Sequence, residues 1–280
     1  MRSLVWLASF PKSGNTWMRL LLAAYQKPLE AAEVELTDAF HSTVSESRRT
    51  YFEKLARKED LTAATIDTLR EKVQFHLANN LQPPILIKTH NANLCRNGVP
   101  MIRQEYTLGT VFVIRNPLDV VSSLADHWGV GNDQAIAMMG NSNLCIGGPR
   151  QEFVTQFLSS WSEHALSWVS QSDFPVHIVR YEDLLARTEC TFRNVLTFLG
   201  WPTCDERIAR AISQTRFDAL QAKEELNGFT ERSKKSVSGK FFRTGKAGAY
   251  IECLSQAQIS AVKTRHQAVM DKFGYKAEQS

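Results

Sequence analysis

Lys12-Ser13-Gly14-Asn15-Thr16 sets a cation, two hydroxyls and an amide around one glycine. The stretch follows an apolar run, Leu4 to Phe10, that stops at Pro11, and precedes Met18 to Tyr25, which reads as a buried helix. Strand, short loop and helix point backbone N–H groups and a positive helix end at one place. With Lys12, Ser13, Asn15 and Thr16 as further donors, the nest suits a phosphate or sulfate group. An ordinary strand-to-helix turn with a surface lysine would carry the same residues. A Walker A loop is excluded, because it needs G-x-x-x-x-G-K-[ST] and this lysine comes before the loop's only glycine.

Two further stretches carry chemistry. His90 stands just past the apolar run Ile85-Leu86-Ile87, with Lys88 between. A lone histidine after a strand is usually structural. Beside Lys88, and with a second lysine loop expected nearby, a general base is the better reading. Arg115 closes the run Thr110 to Ile114, and Ser123 follows eight residues later. Arg115 and Ser123 could form an anion site, or Arg115 could pair with Asp119 while Ser122 and Ser123 serve as small helix residues. No cluster of carboxylates suited to a metal accompanies these groups.

The elements that must position them alternate. Strands are expected at 4–9, 85–88, 110–114 and 176–179, and helices at 15–26, 61–81, 117–127, 188–199, 205–213 and 256–273. Leu61, Ile66, Leu69, Val73, Leu77 and Leu81 recur at helical spacing, with Thr62 as a cap and Pro83-Pro84 as the stop. Pro117 suits the first turn of its helix. Phe153, Phe157, Trp161, Ala165 and Trp168 form an aromatic stripe that predicts one amphipathic helix over 153–169, a core face and not a cofactor box. Residues 28–82 read as several helices, and 91–108 as loop with a short helix near Pro100. Residues 128–150, with five glycines, read as a long mobile loop with one helical turn at 135–139, either a lid or a surface insertion. Residues 225–249 read as a flexible basic loop. The pattern predicts an α/β fold: a single domain over 1–280, with a central, mainly parallel sheet flanked by helices and ligands bound at the carboxyl ends of the strands.

Composition narrows the function classes. The 280 residues are 43% hydrophobic and 22% charged, ordinary for a globular protein, and the net charge of +4 comes without a dense basic tract, which argues against a nucleic-acid partner. Cys95, Cys145, Cys190, Cys204 and Cys253 form no C-x-x-C pair, and their odd number points to reduced thiols. The first apolar run is too short for a signal peptide and no stretch approaches a membrane span of about 20 apolar residues. The expectation is a cytoplasmic protein with no membrane partner.

Taken together, the motifs resemble a family. Phe10-Pro11-Lys12-Ser13-Gly14-Asn15-Thr16-Trp17 looks like the 5′-phosphosulfate loop of sulfotransferases that use 3′-phosphoadenosine 5′-phosphosulfate (PAPS). Val113 to Ser123 resembles their 3′-phosphate motif, Lys88-Thr89-His90 their catalytic-base segment, Arg180-Tyr181-Glu182-Asp183-Leu184 another recurring segment, and Phe242 to Gly248 the C-terminal segment that closes over the nucleotide. The matches run in the family's order from residue 4 to about 250. The C-terminal motif departs from the usual R-K-G-x-x-G-D-W, with Thr244 for the lysine and Ala249-Tyr250 for the Asp-Trp pair. The short dimerisation motif of animal cytosolic members has no clear match, so a homodimer stays open.

The resemblance implies a P-loop-like nucleotide-binding architecture and transfer of a sulfuryl group from PAPS to a hydroxyl of a small-molecule or natural-product acceptor, with a glycan or lipid hydroxyl as the alternative. It implies His90 as general base, Lys12 and Lys88 as charge-neutralising catalytic residues, and no metal. Ser13, Gly14, Asn15 and Thr16 would hold the 5′-phosphate; Arg115 and Ser123, with Arg243, Thr244 and Gly245, the 3′-phosphate; Trp17, Tyr181, Thr215 and Phe217 the adenine. Trp128, Met138, Met139, Phe229 and Phe241 would line an acceptor pocket or belong to the core. Two other readings compete: a P-loop-type kinase using ATP and magnesium, and a non-catalytic nucleotide-binding protein.

Overall fold

A computed structural model describes residues 2–82, 85–148, 151–170 and 172–275. Five strands form the main sheet: β1 (Leu4–Ser9), β2 (Val44–Ser45), β3 (Ile85–Thr89), β4 (Thr107–Ile114) and β5 (Val176–Arg180), in the order β2-β3-β1-β4-β5. β1 pairs in parallel with β3, Leu4 opposite Ile85 and Ala8 opposite Thr89, and β2 joins β3 in parallel. All six residues of β1 are buried. A strand covered on both faces needs no polar alternation, which is why LVWLAS reads as one apolar run. The fold is α/β with a central parallel sheet, as the strand–helix alternation predicts.

The chain gathers into two compact units, each assembled from three separated segments. The first comprises the residues up to Phe10, Thr43–Phe112 and Met139–Ile178, and so holds nearly the whole sheet. Its helix Ala63–Asn80 begins where the Thr62 hydroxyl accepts the Thr65 N–H at 3.2 Å, as expected of that cap. The expected proline stop at 83–84 lies outside the described residues. Inside, the Trp6 indole N–H donates to Thr107 Oγ1 at 2.9 Å, and the Phe112 and Trp168 rings stack 6.4 Å apart. Burying side chains of this size stabilises by about 1.5–3 kcal/mol each.

Three local expectations in this unit are corrected. The short helix expected near Pro100 is a single 3-10 turn at Gln104–Tyr106, and at Pro100 itself Cys95–Arg96 and Val99–Pro100 pair antiparallel across Asn97 and Gly98, both at positive φ. Asn-Gly with two left-handed residues makes a tight hairpin turn, and the dipeptide is its sequence signal. The aromatic helix starts at Trp161, not Phe153. Gln156–Phe157 instead pairs antiparallel with Cys145–Ile146, and Ser159 takes a φ of 59° that breaks the chain direction before Ser160 opens the helix. Between the expected helices of 28–82, Val44–Ser45 adds an edge strand too short to show periodicity.

The second unit comprises Pro11–Ser42, Val113–Met138 and the residues from Val179 onward. It holds the helices Asn15–Gln26, Pro117–Trp128, Thr188–Phe198, Asp205–Gln214, Phe217–Asn227 and Gln256–Lys272. Pro117 occupies the first turn of its helix, where the Asn116 side chain accepts the Leu118 N–H at 3.0 Å. Residues 132–139, expected to hold at most one helical turn, form the two-turn helix Asn132–Met139. Residues 228–249 contain no helix or strand, but they are tied at many points. The Asp126 carboxylate accepts from the Ser238 N–H and from the Ser236 and Ser238 hydroxyls, and the buried Glu224 carboxylate accepts the N–H groups of Phe241 and Phe242.

Candidate active site

In the second unit the loop after β1 is built around two unusual backbone positions. Lys12 has φ 67° and Gly14 has φ 102°. A side chain at Gly14 would not fit, since a Cβ there would lie 2.7 Å from Tyr181 Cδ2. Lysine in the left-handed region costs on the order of 1–3 kcal/mol, which the surrounding contacts must hold. Gly14 caps the helix without a side-chain acceptor, and the first N–H groups of a helix have no intrahelical partners. Ser13 is fully buried, and its hydroxyl has no hydrogen-bond partner among the described residues. A buried hydroxyl so placed at a helix start is a candidate donor to a ligand. The Asn15 side chain, by contrast, turns back and accepts from Arg19 Nε at 3.1 Å.

The Lys12 ammonium lies 3.9 Å from the centre of the Phe241 ring. Burial pulls its pKa down to about 8; Glu231 opposes that shift, Arg115 adds to it, and Asp126 and Glu224 oppose it further. His127 is held neutral, its pKa lowered to about 4 by burial and then by Lys12.

Arg115 does not pair with Asp119. Its guanidinium donates to the carbonyls of Lys12 (3.3 Å) and Lys246 (3.0 Å) and stacks 4.4 Å over the Tyr181 ring, while Nε has no partner among the described residues. Asp119 instead accepts the N–H groups of Gly248 (2.8 Å) and Tyr250 (2.9 Å). The ion pair fails because the carboxylate is already spent on the C-terminal segment. That segment also sends Arg243 to Ser122 Oγ at 3.2 Å, one residue before the expected Ser123, which is half-buried. Gly245, at φ 60°, lies against Phe217, where an added Cβ would come within 2.2 Å of the ring. Thr244 is half-buried beside it in sequence.

The aromatic residues converge as well. Trp17 donates its indole N–H to the Thr215 carbonyl at 3.0 Å, and its ring meets Tyr181 edge-on at 5.9 Å. The second unit therefore brings Lys12, Gly14, Trp17, Arg115, Tyr181 and Thr215 together, and joins Phe217, Arg243 and Gly245 to them through the segment that reaches Arg115 at Lys246. A cluster of two cations, orphaned buried donors and a ring assembly has the chemistry to bind a phosphorylated nucleotide.

His90 and Lys88 belong to the first unit. The His90 backbone N–H donates to Gln156 Oε1 at 3.2 Å, and its carbonyl accepts from His164 Nε2 at 3.2 Å. Nδ1 lies 2.7 Å from the Ser9 carbonyl. A carbonyl only accepts, so Nδ1 carries the proton and neutral His90 keeps its lone pair on Nε2. His164 is wholly buried between the Phe10 and Phe112 rings, and burial lowers its pKa to about 3. Lys88 Nζ stands 5.6 Å from the Phe153 ring. Behind His90, Asn91 joins a buried ion cluster: its amide donates to Glu46 (3.3 Å), whose other oxygen takes Arg70 NH1 at 2.6 Å, and Arg70 also donates to the Thr155 carbonyl.

Sequence reading missed Glu231, Glu224, Gln156 and His164. Glu231 and Glu224 sit in polar stretches where only long-range folding reveals their burial. His164 had a signal, its place beside the aromatic stripe.

The comparisons with known proteins agree on the class. The model of the sulfotransferase domain matches residues 2–274, and the chain belongs to that family. A sulfotransferase 1 family member D1 from Rattus norvegicus is 25% identical over 263 residues, covering 90% of this chain and 78% of that protein. A WSCD family member from Aedes aegypti is 26% identical over 211 residues, and there the match spans about half of the relative, 55%, and 75% of this chain. Among solved structures, retinol dehydratase in complex with retinol and PAP superposes with a TM-score of 0.64 at 16% identity, covering 99% of this chain and 84% of that one. A mouse sulfotransferase complexed with PAP gives 0.62 at 17% identity, covering 96% of this chain and 84% of that one. Among the described residues, no helix is long and apolar enough to cross a membrane.

Proposed function

We propose that the chain transfers the sulfuryl group of PAPS to a hydroxyl of a small-molecule acceptor. The observation that carries this reading is a pair of unmade bonds, Ser13 Oγ in the Lys12 loop and Nε of Arg115, which bonds the Lys12 carbonyl; both are buried and without partners among the described residues, and the Lys12 ammonium is buried too. Native proteins seldom leave such groups unsatisfied unless a ligand completes them. Family membership supplies the ligand, and the residues present fit it.

The step balances simply. The acceptor oxygen forms a bond to sulfur while the bond from sulfur to the bridging phosphate oxygen breaks, and 3′-phosphoadenosine 5′-phosphate (PAP) leaves with that electron pair. The acceptor proton passes to Nε2 of His90, the nitrogen its Ser9 bond leaves basic. Lys12 and Lys88 offset charge on the bridging and equatorial oxygens. Ser13, the N–H groups of Gly14 to Thr16, Arg115, Ser123 and Arg243 to Gly245 hold the phosphates. Trp17, Tyr181, Thr215 and Phe217 hold the base. The neighbour solved with retinol supports placing a small hydroxyl-bearing acceptor ahead of a glycan.

The test is a panel of phenols, alcohols, glycans and lipids offered with radiolabelled PAPS. Wild-type protein is expected to label a small hydroxyl acceptor, and His90→Ala to label none while still binding PAP. Tight PAP binding with no transfer to any class would return the chain to a non-catalytic nucleotide binder.

A further inference from the structure

Glu231 is a charged group that the transfer reaction does not use, yet its carboxylate bonds two side chains of the helix that follows the phosphate loop. Its carboxylate accepts the Thr16 hydroxyl at 2.6 Å through one oxygen and Arg19 NH2 at 2.5 Å through the other. Arg19 NH2 also donates to Thr16 Oγ1 at 3.0 Å, so the three groups close a ring. Arg19 is almost wholly buried, held further by the Asn15 side chain and the Ala39 carbonyl. A hydroxyl has one proton to give. Thr16 gives its proton to Glu231, so it has none for an incoming phosphate while this bond stands. One turn away, the Ser13 hydroxyl is buried with no partner among the described residues.

We propose that Glu231 is a resident counter-anion of the phosphate loop: it holds the Thr16 hydroxyl and Arg19 while no phosphorylated ligand is bound, and surrenders Thr16 when one arrives. This rests on the nucleotide reading above. The charges facing Lys12 favour the assignment. Glu231 is the strongest influence opposing the loss of its proton, ahead of Asp126 and Glu224, while Arg115 works the other way and His127 is neutral. Glu231 is a positioning residue in this account, acting on the ligand through Thr16 and Lys12.

The test is calorimetric titration of PAP, and of inorganic pyrophosphate beside it, into wild type, Glu231→Gln and Glu231→Asp at pH 6.5 and pH 9. Thermal melts establish that each variant is folded. At pH 6.5, below the Lys12 pKa of about 8, Glu231→Gln, freed of the competing carboxylate, is expected to bind PAP about 3–10-fold tighter, the size of a modest charge effect. Between pH 6.5 and 9 its affinity is expected to fall several-fold more than that of wild type, because the strongest of the carboxylates sustaining the Lys12 charge is then gone; Glu231→Asp is expected to restore the wild-type pH profile. Equal or weaker binding by Glu231→Gln at pH 6.5, or a pH profile parallel to wild type, overturns the proposal. If PAP fails on wild-type protein while pyrophosphate shows the Glu231→Gln preference, the nucleotide reading falls and the counter-anion stands. If pyrophosphate shows no such preference, the counter-anion falls.

Discussion

His90 and Lys12 are held in opposite ways. The histidine segment of the first unit rests on completed bonds: Nδ1 to a carbonyl, its N–H to Gln156, its carbonyl to His164, and Asn91 to the Glu46–Arg70 pair. The lysine loop of the second unit is strained and incomplete. It has a lysine at positive φ, two buried donors without partners among the described residues, and an ammonium pulled toward neutrality. A base needs a fixed tautomer and a fixed position before the substrate arrives. An anion cradle needs donors that the protein itself has not satisfied. On the proposed reading, the first arrangement suits a base and the second an anion cradle.

That contrast can be broken at its extremes first. His90→Ala and Lys12→Ala are each expected to lower turnover with PAPS by about 10²–10³-fold, the usual loss for a general base or a charge-stabilising donor, with melting temperatures near wild type. A variant that keeps wild-type turnover removes its residue from the mechanism. Arg70→Ala is expected to act on folding instead: removing one partner strands the buried Glu46 carboxylate and costs about 3–5 kcal/mol in denaturant unfolding. A loss below 1 kcal/mol would show that the cluster does not support the His90 segment.

Gly245→Ala probes the ligand side. A methyl group there meets the Phe217 ring and a left-handed backbone, so PAP affinity is expected to fall about tenfold, with a stability loss of about 1–2 kcal/mol. The smallest effect concerns pH. His164 keeps a folded pKa near 3 against an unfolded value near 6.5, so the unfolded chain binds the extra proton between those values. Stability is therefore expected to fall as pH drops from 6.5 toward 3, and His164→Asn to reduce that slope by one proton in denaturant midpoints measured across the range. His127 and His266, also lowered to about 4, keep the remaining slope.

The sequence carried the strand–loop–helix frame because β1 and the helix Asn15–Gln26 are buried along their length, so their composition alone declares them. It carried the cap at Thr62 and the proline at 117, which act within one turn. It lost what depends on distant partners. Asp119 could be paired with Arg115 on paper because the N–H groups of Gly248 and Tyr250, about 130 residues on, were invisible. The aromatic stripe promised one long helix because Phe157 keeps helical spacing while its N–H is taken by Asn91, far away in sequence. Asn97-Gly98 is the exception, a hairpin signal carried entirely by the local sequence. Glu231 illustrates the general limit, since nothing in a polar, basic stretch announces that one carboxylate folds back onto residues 16 and 19.

The central claim, that the Lys12 loop is the cradle for a PAPS-type nucleotide, is tested most directly by thermal melting of the wild-type chain with PAP and, separately, with ATP plus Mg²⁺. The account predicts that saturating PAP raises the melting temperature well beyond the shift given by ATP plus Mg²⁺. A larger shift with ATP plus Mg²⁺ would contradict it.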